Sequence, residues 1–125
     1  MAENSSNTAS GSHRSGVKRL IIMRHAEADW GLNDFDRPLT KRGHEQAAAA
    51  GAWLAARGYI PEQIMSSSAL RTRQTTTWVS DGLGAKAPTA HLDEGLYEVS
   101  ASRIIARINS VSENVHSLMV VSHLP

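Results

Sequence analysis

Two short apolar runs near opposite ends of the chain constrain its fold most strongly. Residues 20–23 and 118–121 are continuously apolar, which is typical of strands buried on both faces of a parallel sheet. Residues 63–66 are predicted as a further strand, and residues 88–92 carry a weaker strand signal. Because helical patterns separate these segments, we expect right-handed crossovers and a mostly parallel sheet in an α/β domain.

Three helical patterns lie between the predicted strands. Thr40 is placed to cap a helix over residues 41–57, in which small residues recur at helical spacing and favour close packing against a sheet. A second helix is predicted over residues 70–83, ended by Gly84, and Ser102 is placed to cap a third. The residues expected to face the core are Gly43, Ala47, Ala50, Gly51 and Leu54, then Leu70, Trp78 and Val79, and finally Ile104, Ile105, Ile108 and Val111.

Composition and charge limit the number of domains, the classes of partner and the cellular location that we expect. Residues 1–16 are mostly Ser, Asn, Thr, Ala and Gly, so we expect a disordered tail before one domain over residues 17–125. Lys and Arg total 13 against 12 Asp and Glu, so the charge provides no general attraction to nucleic acid or anionic membranes. The chain has no cysteine, and its apolar runs are far shorter than the roughly 20 residues of a membrane span. We therefore expect a cytoplasmic protein without nucleic-acid or membrane partners.

Basic side chains follow three of the predicted strands. Arg24 and His25 come directly after the first strand, and His123 follows the last. Ligands of open α/β sheets bind outside the carboxyl ends of the strands, so we expect these side chains to share one edge. After the second strand, the first turn of a helix carries Arg71 and Arg73, and an arginine fork beside a helix start suits phosphate. Only one of these arginines needs to face inward, and Arg73 fits a solvated position.

A metal site formed by His25, Glu27 and His123 is a competing interpretation. It has no recognisable ligand motif, and it would leave the arginines at the same edge without a role. We therefore expect no metal and no cofactor. The remaining histidines are assigned to the surface or to the hydrogen-bonded core: His13, His44, His91 and His116.

Four motifs, in the right order, resemble those of the histidine phosphatase superfamily. Arg24, His25 and Ala26 resemble its Arg-His-Gly signature, with alanine in place of glycine. The other matches are Leu39, Thr40, Gly43, Gln46, Ala47, Gly51 and Leu54, then Ser67, Ser68, Arg71, Gln74 and Thr75, and finally Ser122, His123 and Pro125. Each motif alone is weak evidence, but their order and spacing together are strong evidence.

Within that superfamily, the sequence is most similar to the small SixA-type phosphohistidine phosphatases. Three features carry this resemblance: the absence of large insertions, the short loop from His25 to Asp36, Arg37, Pro38, Leu39 and Thr40, and the ending Ser122, His123, Leu124 and Pro125. It implies a phosphoglycerate mutase-like fold, with three α/β/α layers around a mostly parallel sheet. The family usually continues with a further helix and strand beyond the position of Pro125, so we expect the C-terminal part to be missing.

The resemblance also implies a mechanism. His25 attacks phosphorus and forms a phosphohistidine intermediate, and no metal takes part. The phosphate oxygens are bound by Arg24, Arg71 and His123. Glu94, or as second choice Glu98, is the candidate acid that protonates a leaving alkoxide. A solvent-exposed loop position without a catalytic role is an equally open interpretation for each glutamate, and SixA-type enzymes depend less on such an acid because an imidazole departs more readily than an alkoxide.

Three functions stay open from the sequence. The leading hypothesis is a phosphatase that acts on phosphohistidine in a protein. A phosphatase for a small phosphoester would use the same chemistry. A catalytically inactive phosphate-binding module is the third, because Ala26 replaces the usual glycine and the chain stops at Pro125.

Overall fold

Four parallel strands form one sheet in the computed structural model, which describes residues 16–31, 33–97 and 99–124. The strands are β1 (Arg19–Arg24), β2 (Gln63–Ser67), β3 (Ala90–Asp93) and β4 (Ser117–Ser122), and their order across the sheet is β1-β4-β2-β3. The predicted parallel sheet is confirmed. The tail predicted over residues 1–16 lies outside the described ranges except for Gly16.

Helices cover both faces of this sheet. The described elements are α1 (Lys41–Ala56), α2 (Leu70–Leu83) and α3 (Ala101–Asn109), with short 3-10 helices at Asp34–Asp36 and Glu94–Leu96. Helices α1 and α2 pack on one face, where Ile64 and Val79 are fully buried, and α3 packs on the other with Ile104 and Val120. The expected three-layer arrangement is confirmed. None of these helices combines the length and apolarity that a membrane crossing requires.

Strand β4 lies inside the sheet between β1 and β2. Leu118, Met119, Val120 and Val121 are 0% exposed, and burying each such side chain contributes roughly 1.5–3 kcal/mol relative to leaving it exposed. The second apolar run therefore forms the strand buried on both faces that the sequence predicted.

Strand β1 is different, and the prediction that both of its faces are buried is wrong. It lies at an edge of the sheet, and Leu20 and Ile22 are 42% and 51% exposed. Ile21 and Met23, which alternate with them, pack against the core beneath α1 and α2. The apolar run identified a strand, but burial depends on sheet order and on what covers each face, which a local pattern does not encode.

Trp78 and Ile105 were expected in the core and lie at the surface instead. Adjacent helical residues point about 100° apart, so the complete burial of Val79 turns Trp78 outward, where it is 38% exposed and stacks on His44 at 5.0 Å between ring centroids. By the same geometry Ile104 is buried and Ile105 is 56% exposed. The spacing pattern located the buried stripe of each helix but not its edges.

The helix caps follow the prediction in one case and differ from it in another. Thr40 caps α1, because its hydroxyl oxygen accepts a hydrogen bond from the Gly43 N–H at 2.9 Å. Helix α3 is capped by Ser100, which accepts from the Arg103 N–H, and not by Ser102. Ser100 has the extended backbone that a cap requires, whereas Ser102 already lies in the first helical turn.

Helices α1 and α2 approach each other closely through two glycines. A Cβ atom on Gly51 would overlap the Val79 carbonyl oxygen, and one on Gly82 would overlap the Ala48 carbonyl oxygen. The small residues of α1 were expected to pack on the sheet. Ala47 does lie in that core, whereas Gly51 serves the contact between the helices.

We therefore expect Gly51→Ala to lower the free energy of unfolding. Overpacking costs about 1–3 kcal/mol, and it outweighs the gain of up to about 1 kcal/mol when alanine replaces glycine in a helix. Because the new Cβ would meet backbone atoms rather than a flexible side chain, the cost should lie in the upper part of that range, and urea unfolding should show a net loss of about 1–2 kcal/mol. Ala56→Ser, at the exposed end of the same helix, is the control and should change the value by less than about 0.5 kcal/mol. An unchanged or higher midpoint for Gly51→Ala would contradict the close contact.

Candidate active site

The carboxyl ends of β1 and β4 bring two histidines together. Arg24 pairs with Ser122 in the sheet, and the next residue continues the register, since the His25 N–H donates to the Ser122 carbonyl oxygen at 3.0 Å. His123 directly follows β4, and its ring centroid lies 5.7 Å from that of His25. The structure therefore brings His25 and His123 together at one edge of the sheet, as the sequence predicted.

His25 uses one ring nitrogen locally and leaves the other available. Its Nδ1 lies 2.8 Å from the Ala26 carbonyl oxygen, which can only accept, so Nδ1 carries the ring proton and Nε2 has a free lone pair. Burial is the main cause that lowers the pKa of His25, and the hydrogen bond to Ala26 opposes it. The positive charges of Arg71 and Arg24 lower this pKa further. The ring is consequently neutral at neutral pH.

His123 is oriented by a serine hydroxyl. Ser67 Oγ lies 2.8 Å from Nε2 and also accepts from the Ala69 N–H at 3.4 Å. When that hydroxyl donates its proton to Nε2, the ring proton resides on Nδ1. Nδ1 is buried and has no hydrogen-bond partner in the part of the chain that is described. Burial first, and then the charge of Arg71, lower the pKa of His123 to about 4.

Arg71 is a buried cation at the start of α2. It is 4% exposed, and its Nη1 and Nη2 donate to the main-chain carbonyl oxygen and to carboxylate Oδ2 of Asp34 at 2.6 and 3.0 Å. Its Nε is buried and unpartnered within the described segments. Arg73 instead donates from Nε to the Ser68 carbonyl oxygen at 2.9 Å. Of the two arginines in the motif, Arg71 is thus the buried one.

Arg24 is the last residue of β1 and is exposed. Its positive charge contributes to the lowered pKa of both His25 and His123, so its guanidinium lies within electrostatic reach of both rings. Together with Arg71 it makes this end of the sheet positive, which favours an anionic ligand.

Side chains from α1 and α2 hold the loop that follows His25. The bonds are Ala26 N–H to Thr75 Oγ1 at 3.0 Å, Leu39 N–H to Gln74 Oε1 at 2.7 Å, and Glu27 N–H to Gln46 Oε1 at 3.1 Å. Thr75 also donates to the Arg71 carbonyl oxygen at 2.7 Å. These motif residues therefore position the loop and the start of α2.

The remaining predicted residues take simpler positions. Glu94 begins the 3-10 helix after β3, and its side chain is exposed and makes no hydrogen bond or ion pair with the described residues. Glu98 and Pro125 lie outside the described ranges, as does His13. His91 and His116 are exposed.

Two residues that sequence reasoning did not select, Asp34 and Tyr97, border the same region. Tyr97 donates its hydroxyl proton to Asp34 Oδ2 at 2.6 Å, and its ring lies edge-on to His123 at 5.4 Å between centroids. An acidic loop residue between two motifs was the only available signal for Asp34. The loop has no periodicity that would distinguish it from its neighbouring aspartates.

The cavity beside His25 includes only some of the basic side chains at this edge of the sheet. A cavity of about 260 Å³ beside His25 is lined by Met23, Arg24, His25, Ala26, Gln46, Ala47, Ala50 and Thr75. Neither Arg71 nor His123 lines this cavity. Within the described residues, no group of three or more His, Cys, Asp or Glu side chains is placed to hold a metal ion.

Comparisons with known proteins agree with this geometry. A profile described as histidine phosphatase superfamily (branch 1) matches residues 20–123. The uncharacterized protein Rv1276c of Mycobacterium tuberculosis is 40% identical over 105 residues, which are 82% of this chain and 63% of that protein. The 2,3-bisphosphoglycerate-dependent phosphoglycerate mutase of Mesorhizobium japonicum is 30% identical over 86 residues, which are 65% of this chain and 42% of the mutase. The chain thus spans less than two thirds of the length of these curated relatives.

A solved structure has a similar fold. A candidate phosphohistidine phosphatase SixA from Agrobacterium tumefaciens superposes with a TM-score of 0.78 and 32% identity, covering 87% of this chain and 71% of that chain. The superfamily resemblance and the phosphoglycerate mutase-like fold expected from the motifs are both confirmed.

The electrostatics of the site predict how its histidines titrate. In the ligand-free protein, His123 should titrate with a pKa of about 4, and His25 with a pKa below its ordinary 6.5. Because the unfolded chain then binds more protons, the stability that these neutral rings confer is lost as pH falls from 6.5 through the lowered pKa values. NMR titration of the imidazole C–H signals, assigned with His25→Ala and His123→Ala, measures both values. A midpoint at or above 6.5 for either ring would contradict the described environment.

Proposed function

The chain belongs to the histidine phosphatase superfamily, and we propose that it is a metal-independent phosphatase that removes phosphate from phosphohistidine in a protein. The observation that carries this proposal is the free Nε2 of neutral His25 at a sheet edge beside Arg71 and His123. The likeness to a candidate SixA phosphohistidine phosphatase supports the substrate class. We propose a cytoplasmic setting with a phosphorylated protein as partner.

His25 is the proposed nucleophile. Its Nε2 lone pair attacks phosphorus in line, an N–P bond forms, and the N–P bond of the substrate breaks as the leaving imidazole takes up a proton from solvent. Water then attacks phosphorus and breaks the bond to His25, which releases inorganic phosphate, returns one proton of that water to solvent and restores the neutral ring. The Nδ1–H bond to the Ala26 carbonyl oxygen holds the ring orientation through both steps.

Three donors are proposed to bind the phosphoryl oxygens: Arg24, Arg71 and His123. Negative charge spreads over these oxygens in the transition state, and preorganised donors stabilise it without reorganising. Arg71 Nε and His123 Nδ1 support this role, since buried polar atoms ordinarily have partners and these two have none among the residues that the structure describes. A phosphate oxygen would provide the missing acceptor for each.

The leaving group favours phosphohistidine over a phosphoester. A leaving alkoxide needs a proton from a positioned acid, whereas an imidazole departs more readily. Glu94 is the candidate acid for an ester, and its exposed side chain is not held against the histidines by any hydrogen bond in the described residues. An enzyme with this arrangement is better suited to the more labile N–P bond.

A phosphatase for a small phosphoester is the second candidate. The likeness to a relative named as a 2,3-bisphosphoglycerate-dependent phosphoglycerate mutase favours it. In that case Glu94 would act as the general acid, and turnover would depend on it.

We expect His25→Ala to abolish turnover of a phosphohistidine peptide, because the change removes the nucleophile from the edge of the sheet while β1 and its pairing remain. Acid-labile phosphate trapped on the unmodified protein should disappear in the variant. His91→Ala, at an exposed position on β3, is the control and should keep the wild-type rate within about twofold.

Because the proposed chemistry uses no metal, we expect a chelator to leave the activity of the wild-type protein unchanged in the same assay. Retention of most activity by His25→Ala would exclude the covalent mechanism. Activity that returns only when a divalent metal is added would exclude metal independence. A wild-type protein that binds phosphate without turnover would instead be the inactive binding module.

Glu94→Gln distinguishes the two substrate classes. For a phosphohistidine phosphatase, the variant should cleave a phosphohistidine peptide within about tenfold of wild type, well short of the 10²–10⁴-fold contribution of a general acid. Sugar phosphate hydrolysis should fall further. If sugar phosphates were cleaved faster than the peptide by the wild type, or if Glu94→Gln abolished peptide cleavage, the phosphoester candidate would replace the first.

A further inference from the structure

We propose that Asp34 is a positioning residue that clamps one edge of the Arg71 guanidinium and thereby directs the opposite edge at the phosphoryl group. The proposal rests on the phosphatase function above and deepens it. It assigns a role to a loop residue that lies outside every motif used to recognise the site.

The clamp uses the end of the guanidinium that carries both terminal nitrogens. Nη1 donates to the main-chain carbonyl oxygen of Asp34 at 2.6 Å, and Nη2 donates to its carboxylate Oδ2 at 3.0 Å. One residue thus engages Arg71 twice, through its backbone and its side chain. A guanidinium bound by two acceptors along one edge has a defined plane and orientation.

The other edge of Arg71 is left for a ligand. A guanidinium has five N–H donors, so Nε and the second Nη2 proton still form a side-on pair after the clamp is made. Nε is buried and unpartnered in the described residues, and the Arg71 side chain is 5% exposed, so it has little freedom to seek another acceptor. A side-on Nε–Nη2 pair has the geometry that binds two phosphate oxygens.

Asp34 is itself held in place. Its Oδ2 accepts from the Tyr97 hydroxyl at 2.6 Å, and its Oδ1 lies 3.5 Å from Arg37 Nη1. The Tyr97 ring contacts His123 edge-on at 5.4 Å between centroids. Asp34 and Tyr97 therefore form a continuous set of contacts from Arg71 to His123, the two buried donors of the site.

The charge of Asp34 argues for positioning and against proton transfer. The hydrogen bond from Tyr97 is the main cause that holds the pKa of Asp34 well below its usual range, and Arg71 adds to it. The carboxylate is ionised at neutral pH and has no proton to give a leaving group. Its negative charge faces Arg71, Arg37 and Tyr97, which together offset its repulsion of a phosphate on the opposite edge.

The test is a double-mutant cycle on the full chain with a phosphohistidine peptide. We expect Asp34→Ala to lower kcat about 10- to 100-fold with a smaller change in KM, because misplaced transition-state donors reduce kcat. The melting temperature should also fall, because buried Arg71 loses its carboxylate partner, so kcat is compared at a temperature at which both proteins are folded. In an Arg71→Lys background the same change should cost less than about threefold, since no bidentate edge remains to be positioned. Asp36→Ala, in the same 3-10 helix, is the matched control and should change kcat by less than about twofold.

Two results would overturn the proposal. An equal loss in both backgrounds would mean that Asp34 only stabilises the loop, and tighter inhibition of Asp34→Ala by orthovanadate would mean that Asp34 competes with the ligand for Arg71. If Asp34→Ala does not fold, Tyr97→Phe removes one bond to Oδ2 and keeps the ring. Tyr97→Phe should lower kcat about threefold in the wild-type background and leave kcat unchanged in the Arg71→Lys background. An equal loss of kcat in both backgrounds would again overturn the clamp.

Orthovanadate binding separates this inference from the proposed function. Binding needs the donors but no turnover, so calorimetry should show about tenfold weaker binding to Asp34→Ala than to wild type even if the substrate class is wrong. Equal binding by both proteins would refute the clamp while leaving the His25 mechanism intact. Persistent turnover by His25→Ala would refute that mechanism while leaving the vanadate result valid.

Discussion

The buried strand β4 is the constraint on which the site depends. It pairs with β1 on one side and β2 on the other, so its length and register determine where both neighbours end. The Ser122 carbonyl oxygen receives the His25 N–H, and the next residue is His123. Because four successive apolar side chains of β4 are 0% exposed, a shift in its register would move buried side chains as well as the histidines. The packing energy of the core thus also fixes the separation of the two rings.

A second feature of the candidate site is that Arg71 and His123 each have a buried N–H donor without a partner among the described residues. Arg71 is buried with its charge, and burial together with that charge keeps His25 and His123 neutral. A neutral His25 retains the lone pair that attack requires, and a neutral His123 still offers one N–H. Arg71 Nε and His123 Nδ1 have no hydrogen-bond partner among the described residues, and a bound phosphate would provide an acceptor for each. Buried donors without partners reduce folded-state stability, and in the proposed mechanism the same donors would stabilise the transition state.

Much of the chain serves to hold the loop that connects β1 to α1. Helices α1 and α2 are packed closely against each other at Gly51 and Gly82. From those helices Gln46, Gln74 and Thr75 bind loop backbone N–H groups, and the loop in turn delivers Asp34 to Arg71. Three residues of the superfamily motifs, Gln46, Gln74 and Thr75, therefore support the loop.

The sequence by itself determined the alternation of strands and helices, the parallel sheet, and the convergence of Arg24, His25 and His123, because apolar periodicity and strand direction are local properties with a fixed geometric consequence. It also identified Arg71 as a candidate through its position in a helix start. Only the tertiary structure decided that β1 is an edge strand with Leu20 and Ile22 exposed, that Trp78 faces outward, and that Asp34 accepts hydrogen bonds from both Arg71 and Tyr97. Those features depend on sheet order, on helix rotation about its axis and on the path of an aperiodic loop, and each of these is set by contacts between residues far apart in the chain.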